Sequence, residues 1–213
     1  TVFAIAKQGI AKRTMSEESN SINPLLDVIL EQVPAAPSET EMPLRAQPFN
    51  LAYDNFLGRM AIARMYEGVI QTGSAVLMKK PDGTMIKGKI TALFTFHGIS
   101  RKEASEAIAG DIVMIAGLPE ITIGDTICIT EDQELLPSIK IDEPTITLNF
   151  LVNDSPFVGR DGKLVTSRQI RERLMRELEV NVGLQVDFVG ATNSFPVRGR
   201  GELHIAILLE NMR

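Results

Sequence analysis

Between residues 46 and 138 no apolar period lasts long enough to build a helix. Short β-rich runs occur instead at residues 49–53, 59–64, 75–79, 86–96, 112–116 and 126–130. Turn signals separate them: Glu67-Gly68, Pro81-Asp82-Gly83, Gly110-Asp111, Gly117 and Gly124-Asp125. In Pro-Asp-Gly, proline presets φ and glycine accepts a positive φ, so this triplet predicts a hairpin. Many short strands at regular spacing predict a small closed barrel. It holds 8 basic and 11 acidic residues, so it is not a basic platform as a whole.

The flanking segments read differently. Residues 1–6, Thr-Val-Phe-Ala-Ile-Ala, predict a short buried strand, from which Lys7-Gln-Gly-Ile-Ala turns away. Asn23-Pro24 predicts a helix start with Asn at the cap, Leu25, Leu26, Ile29, Leu30 and Val33 at helical spacing, and Pro34 as the stop. One strand and one helix cannot bury their faces alone, so this part is expected to be the tail of a larger α/β domain. Prolines at 34, 37 and 43 among mixed charges predict a linker.

After residue 139 a strand is expected with Ile146, Leu148, Phe150 and Val152 on its core face. Thr166-Ser-Arg-Gln169 has the form of a capping box, followed by Ile170, Leu174 and Leu178 at helical spacing. Leu184, Val186 and Phe188 alternate as a strand, a second pairs with it at residues 195–198, and a last helix carries apolar residues at 203, 207, 208 and 212. The order β-α-β-β-α is that of a ferredoxin-like unit without its final strand. The expected fold class is multidomain and mainly β with α+β, cut at both ends.

Composition narrows the function classes. At 44% hydrophobic and 23% charged residues the 213-residue chain is an ordinary globular one. The net charge of −5 leaves nucleic-acid contact to a local patch. A lone Cys128 excludes an internal disulfide and suggests a cytoplasmic setting; in its apolar strand it reads as a buried inert thiol. No apolar run approaches the roughly 20 residues of a membrane helix, and the sequence does not open on a signal segment. His97 and His204 with one cysteine are too few for a structural zinc site. His97 reads as a barrel loop residue, and His204 as a half-buried structural one. Asp54, Asp111 and Asp125 read as turn residues. Trp is absent and Tyr occurs twice, so no stacking platform for single strands is evident.

Two segments put glycine and basic residues directly before helical periodicity, which is how a chain offers backbone N–H groups and positive charge to an anion. Arg160, Lys163, Arg168, Arg171, Arg173 and Arg176 stand among only two acidic residues, Asp161 and Glu172. They read either as phosphate contacts, each adding affinity by counterion release, or as a solvated helix face with intrahelical pairs. Arg198-Gly-Arg-Gly201 reads either as a close approach to phosphate or as a plain strand-to-helix turn. No Gly-x-x-x-x-Gly-Lys-[Ser/Thr] phosphate loop is present, so the chain is not expected to hydrolyse a nucleotide by itself.

The residues also carry a resemblance. Asn153-Asp-Ser-Pro-Phe, Val165-Thr-Ser-Arg-Gln-Ile170, Gly199-Arg-Gly-Glu-Leu-His204 and Ile207-Leu-Leu-Glu-Asn-Met-Arg213 resemble the third domain of a bacterial translational GTPase, most closely of the BipA/TypA family. Ala109-Gly-Asp-Ile112, Gly117-Leu118 and Gly124-Asp-Thr-Ile-Cys128 look like the second domain of translation factors. Ala4-Ile-Ala-Lys7 is similar to the last nucleotide-binding motif of the GTPase domain, with Ile5 where serine is usual. The resemblance implies four parts. Residues 1–36 are the tail of a GTP-binding domain, 37–45 a linker, 46–138 the translation-factor β-barrel, and 139–213 a truncated ferredoxin-like domain III. It implies a monomeric, cytoplasmic, ribosome-associated parent with no membrane partner. That parent takes GTP and Mg²⁺ upstream, with no cofactor or metal in this stretch. Ala6 and Lys7 become remnant nucleotide contacts, while Arg168, Arg171, Arg198 and Arg200 become candidate contacts to rRNA or ribosomal proteins. The competing expectations are a relative of elongation factor G, LepA or the ribosome-protection proteins, and a non-catalytic protein-interaction module.

Overall fold

The computed structural model describes residues 1–36, 39–160, 162, 164, 166–189 and 193–213. Its contacts divide the chain into two units, residues 1–37 and 38–213.

In the first unit β1 (Phe3–Ile5) pairs antiparallel with β2 (Ile10–Lys12), and α1 spans Asn23–Gln32. The connection is a short 3-10 turn over Ala6–Gln8, closed by Gly9 at φ 66°. The strand expected to be buried is exposed along its length; among the described residues of this unit only Ala11 is a buried hydrophobic. A two-stranded hairpin and one helix supply no second layer to cover it. The cap of α1 is Ile22 rather than Asn23, whose N–H instead donates to Ser21 Oγ at 2.9 Å. Pro24 stands in the first turn as expected.

The expected linker begins on Pro37 and Ser38, which lie outside the described residues. Glu39 bridges to Glu67, and Leu44 is buried in the core of the second unit.

The second unit is mainly β. Its strands are β3 (Arg45–Asp54), β4 (Gly58–Glu67), β5 (Val69–Gln71), β6 (Ala75–Lys79), β7 (Met85–Lys89), β8 (Ala92–His97), β9 (Ser100–Glu103), β10 (Glu106–Ile108), β11 (Ile112–Ala116) and β12 (Thr126–Cys128). Eight pair in the order β7-β6-β12-β3-β4-β11-β8-β9, while β5 and β10 form a separate ribbon. Pro81-Asp82-Gly83 joins β6 to β7 as expected, with Gly83 at φ 87°. The single run expected over 86–96 is two strands, because Ile90 and Thr91 donate to Ser74 O and Ala116 O and break the ladder. His97 ends β8 rather than lying in a loop, and it is exposed.

The period-2 alternation of β4 serves two clusters. Ala61, Ala63 and Met65 enter the main core with Ile70, Met78, Leu93, Val113, Ile115 and Ile127. Met60 and Ile62 on the other face meet Ala92, Phe94, Met114 and Ala116. Gly117, at φ 103°, permits a close crossing: a Cβ there would lie 2.7 Å from Thr91 N and nearer still to Lys89 O. Asp125 is a turn residue with no exposed surface. It accepts from Thr122 N–H at 2.8 Å, Thr122 Oγ1 at 2.9 Å and Lys80 Nζ at 2.7 Å, which compensates its burial.

The remaining elements are β13 (Ile146–Leu151), α2 (Ser167–Val180), β14 (Gln185–Val186), β15 (Ser194–Gly199) and α3 (Glu202–Met212). The strands form an antiparallel sheet ordered β13-β15-β14. Thr166 and Gln169 make the expected capping box; Val165, ahead of it, lies outside the described residues. Leu174, Leu184, Phe195, Val197, Ile205 and Leu208 form the core, with Phe150, Ile170, Leu178, Val186, Phe188 and Met212 against it. Leu148 lies on the core face as expected, opposite Val197, but on the edge strand β13 it is left 42% exposed. One expectation fails: Leu203 and Ile207 of α3 point outward at 75% and 52% exposure. The face of α3 that docks is Ile205, Leu208 and Met212, one helical turn apart each time.

Leu174→Ala is expected to destabilise the second unit by about 2–5 kcal/mol, measurable by urea denaturation. A second prediction concerns acid. Arg45 Nε donates to Glu67 Oε2 at 2.6 Å, with a second contact from Nη2 to Oε1. The hydrogen bond from Arg45, chiefly, holds the Glu67 carboxyl below its ordinary range. That stabilisation is complete above the ordinary carboxylate range and drains away as pH falls through the depressed folded value. Glu67→Gln therefore flattens the acid limb of the stability–pH profile.

Candidate functional site

Register decides which face each residue of β15 presents. Phe195 and Val197 belong to the core under α2 and α3, so Arg198 projects from the opposite face of the sheet. There it is flanked by Thr147 of β13 and Gln185 of β14. Two residues on, Arg200 is held through its backbone on both sides. Its N–H donates to His204 Nδ1 at 3.1 Å, and its carbonyl accepts from Thr145 Oγ1 at 2.8 Å. Its guanidinium lies over Gly183: a Cβ built there would meet Nη2 at 2.8 Å and Cζ at 2.9 Å, and Nε closer still.

His204 stands in the first turn of α3 and is half-buried, as its sequence position suggests. Asn181 faces its Nε2 with Oδ1 at 3.0 Å and Nδ2 at 2.8 Å. Because Nδ1 already accepts from a backbone N–H, the neutral ring carries its proton on Nε2, and Oδ1 is the acceptor. Asn181 Nδ2 also reaches Glu177 Oε1 at 3.3 Å, and Glu177 Oε2 accepts from Arg173 Nη1 at 2.9 Å. A continuous polar chain thus runs from the surface of α2 to the backbone of Arg200.

The other arginines fare differently. Arg168 is paired with Glu172 at 2.8 Å on an open helix face. Arg171 lies over the rings of Phe188 and Phe195, 5.2 and 5.6 Å from their centroids, and donates to Phe188 O at 3.4 Å. It therefore sits on the helix side of the sheet, away from Arg198. Arg160 covers the ring of Phe157 at 4.7 Å, and Lys163 and Asp161 lie outside the described residues. Of the four arginines expected to act together, β15 and the turn after it bring only Arg198 and Arg200 together. Neither makes an ion pair among the described residues.

The sequence reading missed Thr145, Asn181 and Gly183, which carry no local pattern. It also missed the link at the far end of α2. There Glu179 Oε2 pairs with Arg59 of β4 at 2.8 Å, and Val182 packs against the main β core. In the first unit, Ala6 and Lys7 are exposed in the 3-10 turn. Cys128 is fully buried, and burial pushes its thiol up. Among the described residues no group of three His, Cys, Asp or Glu could hold a metal, and no helix is long and apolar enough to cross a membrane.

Known proteins resemble this chain strongly. Residues 58–128 match the family model for elongation factor Tu domain 2. The whole chain is 45% identical to the large ribosomal subunit assembly factor BipA of Synechocystis, of which it covers 36%. Over 212 residues it is 41% identical to the protein of that name from Bacillus subtilis and 40% to that from Salmonella typhimurium, covering 35% of each. The chain thus spans about a third of the length of the curated relatives it matches. A crystal structure of a Thermus thermophilus protein superposes on 89% of this chain, and on 27% of its own, with a TM-score of 0.64 and 24% identity, a likeness of fold. By sequence, then, the chain is a BipA-family homologue along its whole length and contains an elongation factor Tu domain 2.

Proposed function

We propose that this chain is the central part of a BipA-like translational GTPase, serving to dock the factor on the ribosome and to relay nucleotide state to the docking surface. The observation that carries this is 40–45% identity across the entire chain to large ribosomal subunit assembly factors. On this reading residues 1–36 end the GTP-binding domain and 37–45 link it onward. Residues 46–138 are a closed barrel, a reading supported by strands gathered around one core. Residues 139–213 are a ferredoxin-like domain III, supported by the element order β13-α2-β14-β15-α3 and the sheet order β13-β15-β14.

GTP and Mg²⁺ belong to the GTP-binding domain, where hydrolysis would be performed. Ala6 and Lys7, in their exposed turn, are the residues here that would lie against the guanine; Ile5 contributes no side-chain hydrogen bond where serine would. The partner is the ribosome, in the cytoplasm. At a net charge of −5 the chain has no general attraction for a polyanion, so docking on RNA must use a local patch. The Arg198–Arg200 face, free of carboxylate pairing among the described residues, suits that task.

Co-sedimentation of the chain with large ribosomal subunits over a series of salt concentrations tests the proposal. Binding that weakens linearly on a log–log salt plot is expected. Failure to sediment with the subunits at any salt concentration rejects docking.

A further inference from the structure

We propose that Gly183 and His204 form a cradle that aims the Arg200 guanidinium at a phosphate of ribosomal RNA. The inference rests on the docking reading above and adds to it the residues that place the contact.

Gly183 has no conformational reason to be glycine, since its φ lies outside the left-handed region. What its missing side chain provides is room: the guanidinium of Arg200 occupies the space a Cβ would take. The cross-strand register explains why. Gln185 opposes Arg198, so the chain two residues back on one strand meets the chain two residues on along the other. His204 fixes the second coordinate. By accepting the Arg200 N–H at 3.1 Å it sets the direction in which the side chain leaves the turn, and Thr145 Oγ1 secures the carbonyl at 2.8 Å. The ring is itself oriented by Asn181 at 3.0 Å. An arginine held this way loses less rotamer freedom on binding than a free surface one.

Neither Arg200 nor Arg198 makes an ion pair among the described residues, although Glu202 stands two residues from Arg200 in the chain and Asp187 lines the same recess as Arg198. Arg168 and Arg173, by contrast, are each engaged by a glutamate one helical turn away. A planar guanidinium with its fork unspent matches the geometry of a phosphate.

The test compares Arg200→Ala, Gly183→Ala, His204→Ala and His204→Asn in the 213-residue chain. Three readouts serve: thermal unfolding, NMR order of the Arg200 Nε–H group, and the salt slope of binding to purified large ribosomal subunits. Arg200→Ala is expected to lower the slope by about 1. Gly183→Ala changes no charge, yet it should disorder the guanidinium and weaken binding with the fold intact. Neither Gly183→Ala nor His204→Ala should weaken binding further in an Arg200→Ala background. Asn at 204 can offer an acceptor near the place of Nδ1 and should keep Arg200 ordered where Ala does not. If His204→Ala unfolds, Gly183→Ala decides the matter. An Arg200 that stays ordered and binds normally in Gly183→Ala overturns the cradle while leaving docking intact. Lost affinity with an unchanged slope in Arg200→Ala overturns the phosphate in favour of a protein carboxylate. A wild-type chain that does not bind the subunits overturns the docking reading and the phosphate with it, and the NMR readout still judges the cradle.

Discussion

The C-terminal half of α2 and its cap, Asn181, make contacts on three sides at once. Leu174 and Leu178 seal the helix to its sheet, Glu179 pairs with Arg59 of β4 at 2.8 Å, and Asn181 holds His204 of α3. Val182, just beyond, packs against the main β core. A pair as accessible as Arg59–Glu179 contributes modestly by charge alone. Its value is geometric, because the Arg59 fork fixes the helix end at the point where Val182 enters the apolar cluster. The turn carrying Arg200 inherits its position from that anchored helix end through the Asn181–His204 contact.

The electrostatics follow a consistent logic. The chain is acidic overall, and most of the cations that look prominent in the sequence are spoken for. Arg45 pairs with Glu67, Lys80 with Asp125, Arg168 with Glu172 and Arg173 with Glu177. Arg171 spreads over two aromatic rings, where its stem and its charge both stabilise packing. Arg198 and Arg200, which make no ion pair among the described residues, form a short basic edge on the open face of the sheet. Such an arrangement favours a particular docking geometry over general adhesion to nucleic acid.

Much of this architecture was legible in the sequence where local chemistry decides it. The hairpin at Pro81-Asp82-Gly83, the capping box of Thr166 and Gln169, and the strands 75–79 and 112–116 follow from turn geometry and period alone. Where tertiary packing decides, the pattern misleads. Leu203 and Ile207 are spaced as part of a core stripe with Leu208 and Met212, yet it is Ile205 that packs beside those two while Leu203 and Ile207 face outward. The polar strand Ser100–Glu103 carries no apolar alternation at all and exists because the β8 hairpin gives it a partner. The site was half visible. Arg198 and Arg200 stand out for their glycines, but Arg168 and Arg171 group with them only because sequence spacing says nothing about which side of a sheet a residue occupies. Gly183 was invisible, since its role is to leave space for a residue seventeen positions away.

The most direct test is a cryo-EM reconstruction of the chain bound to the large ribosomal subunit. The account predicts that the open face of β15 lies against the RNA backbone, with Arg198 and Arg200 at phosphates and α2 and α3 turned away. A complex in which that face looks into solvent or rests on a ribosomal protein would contradict it.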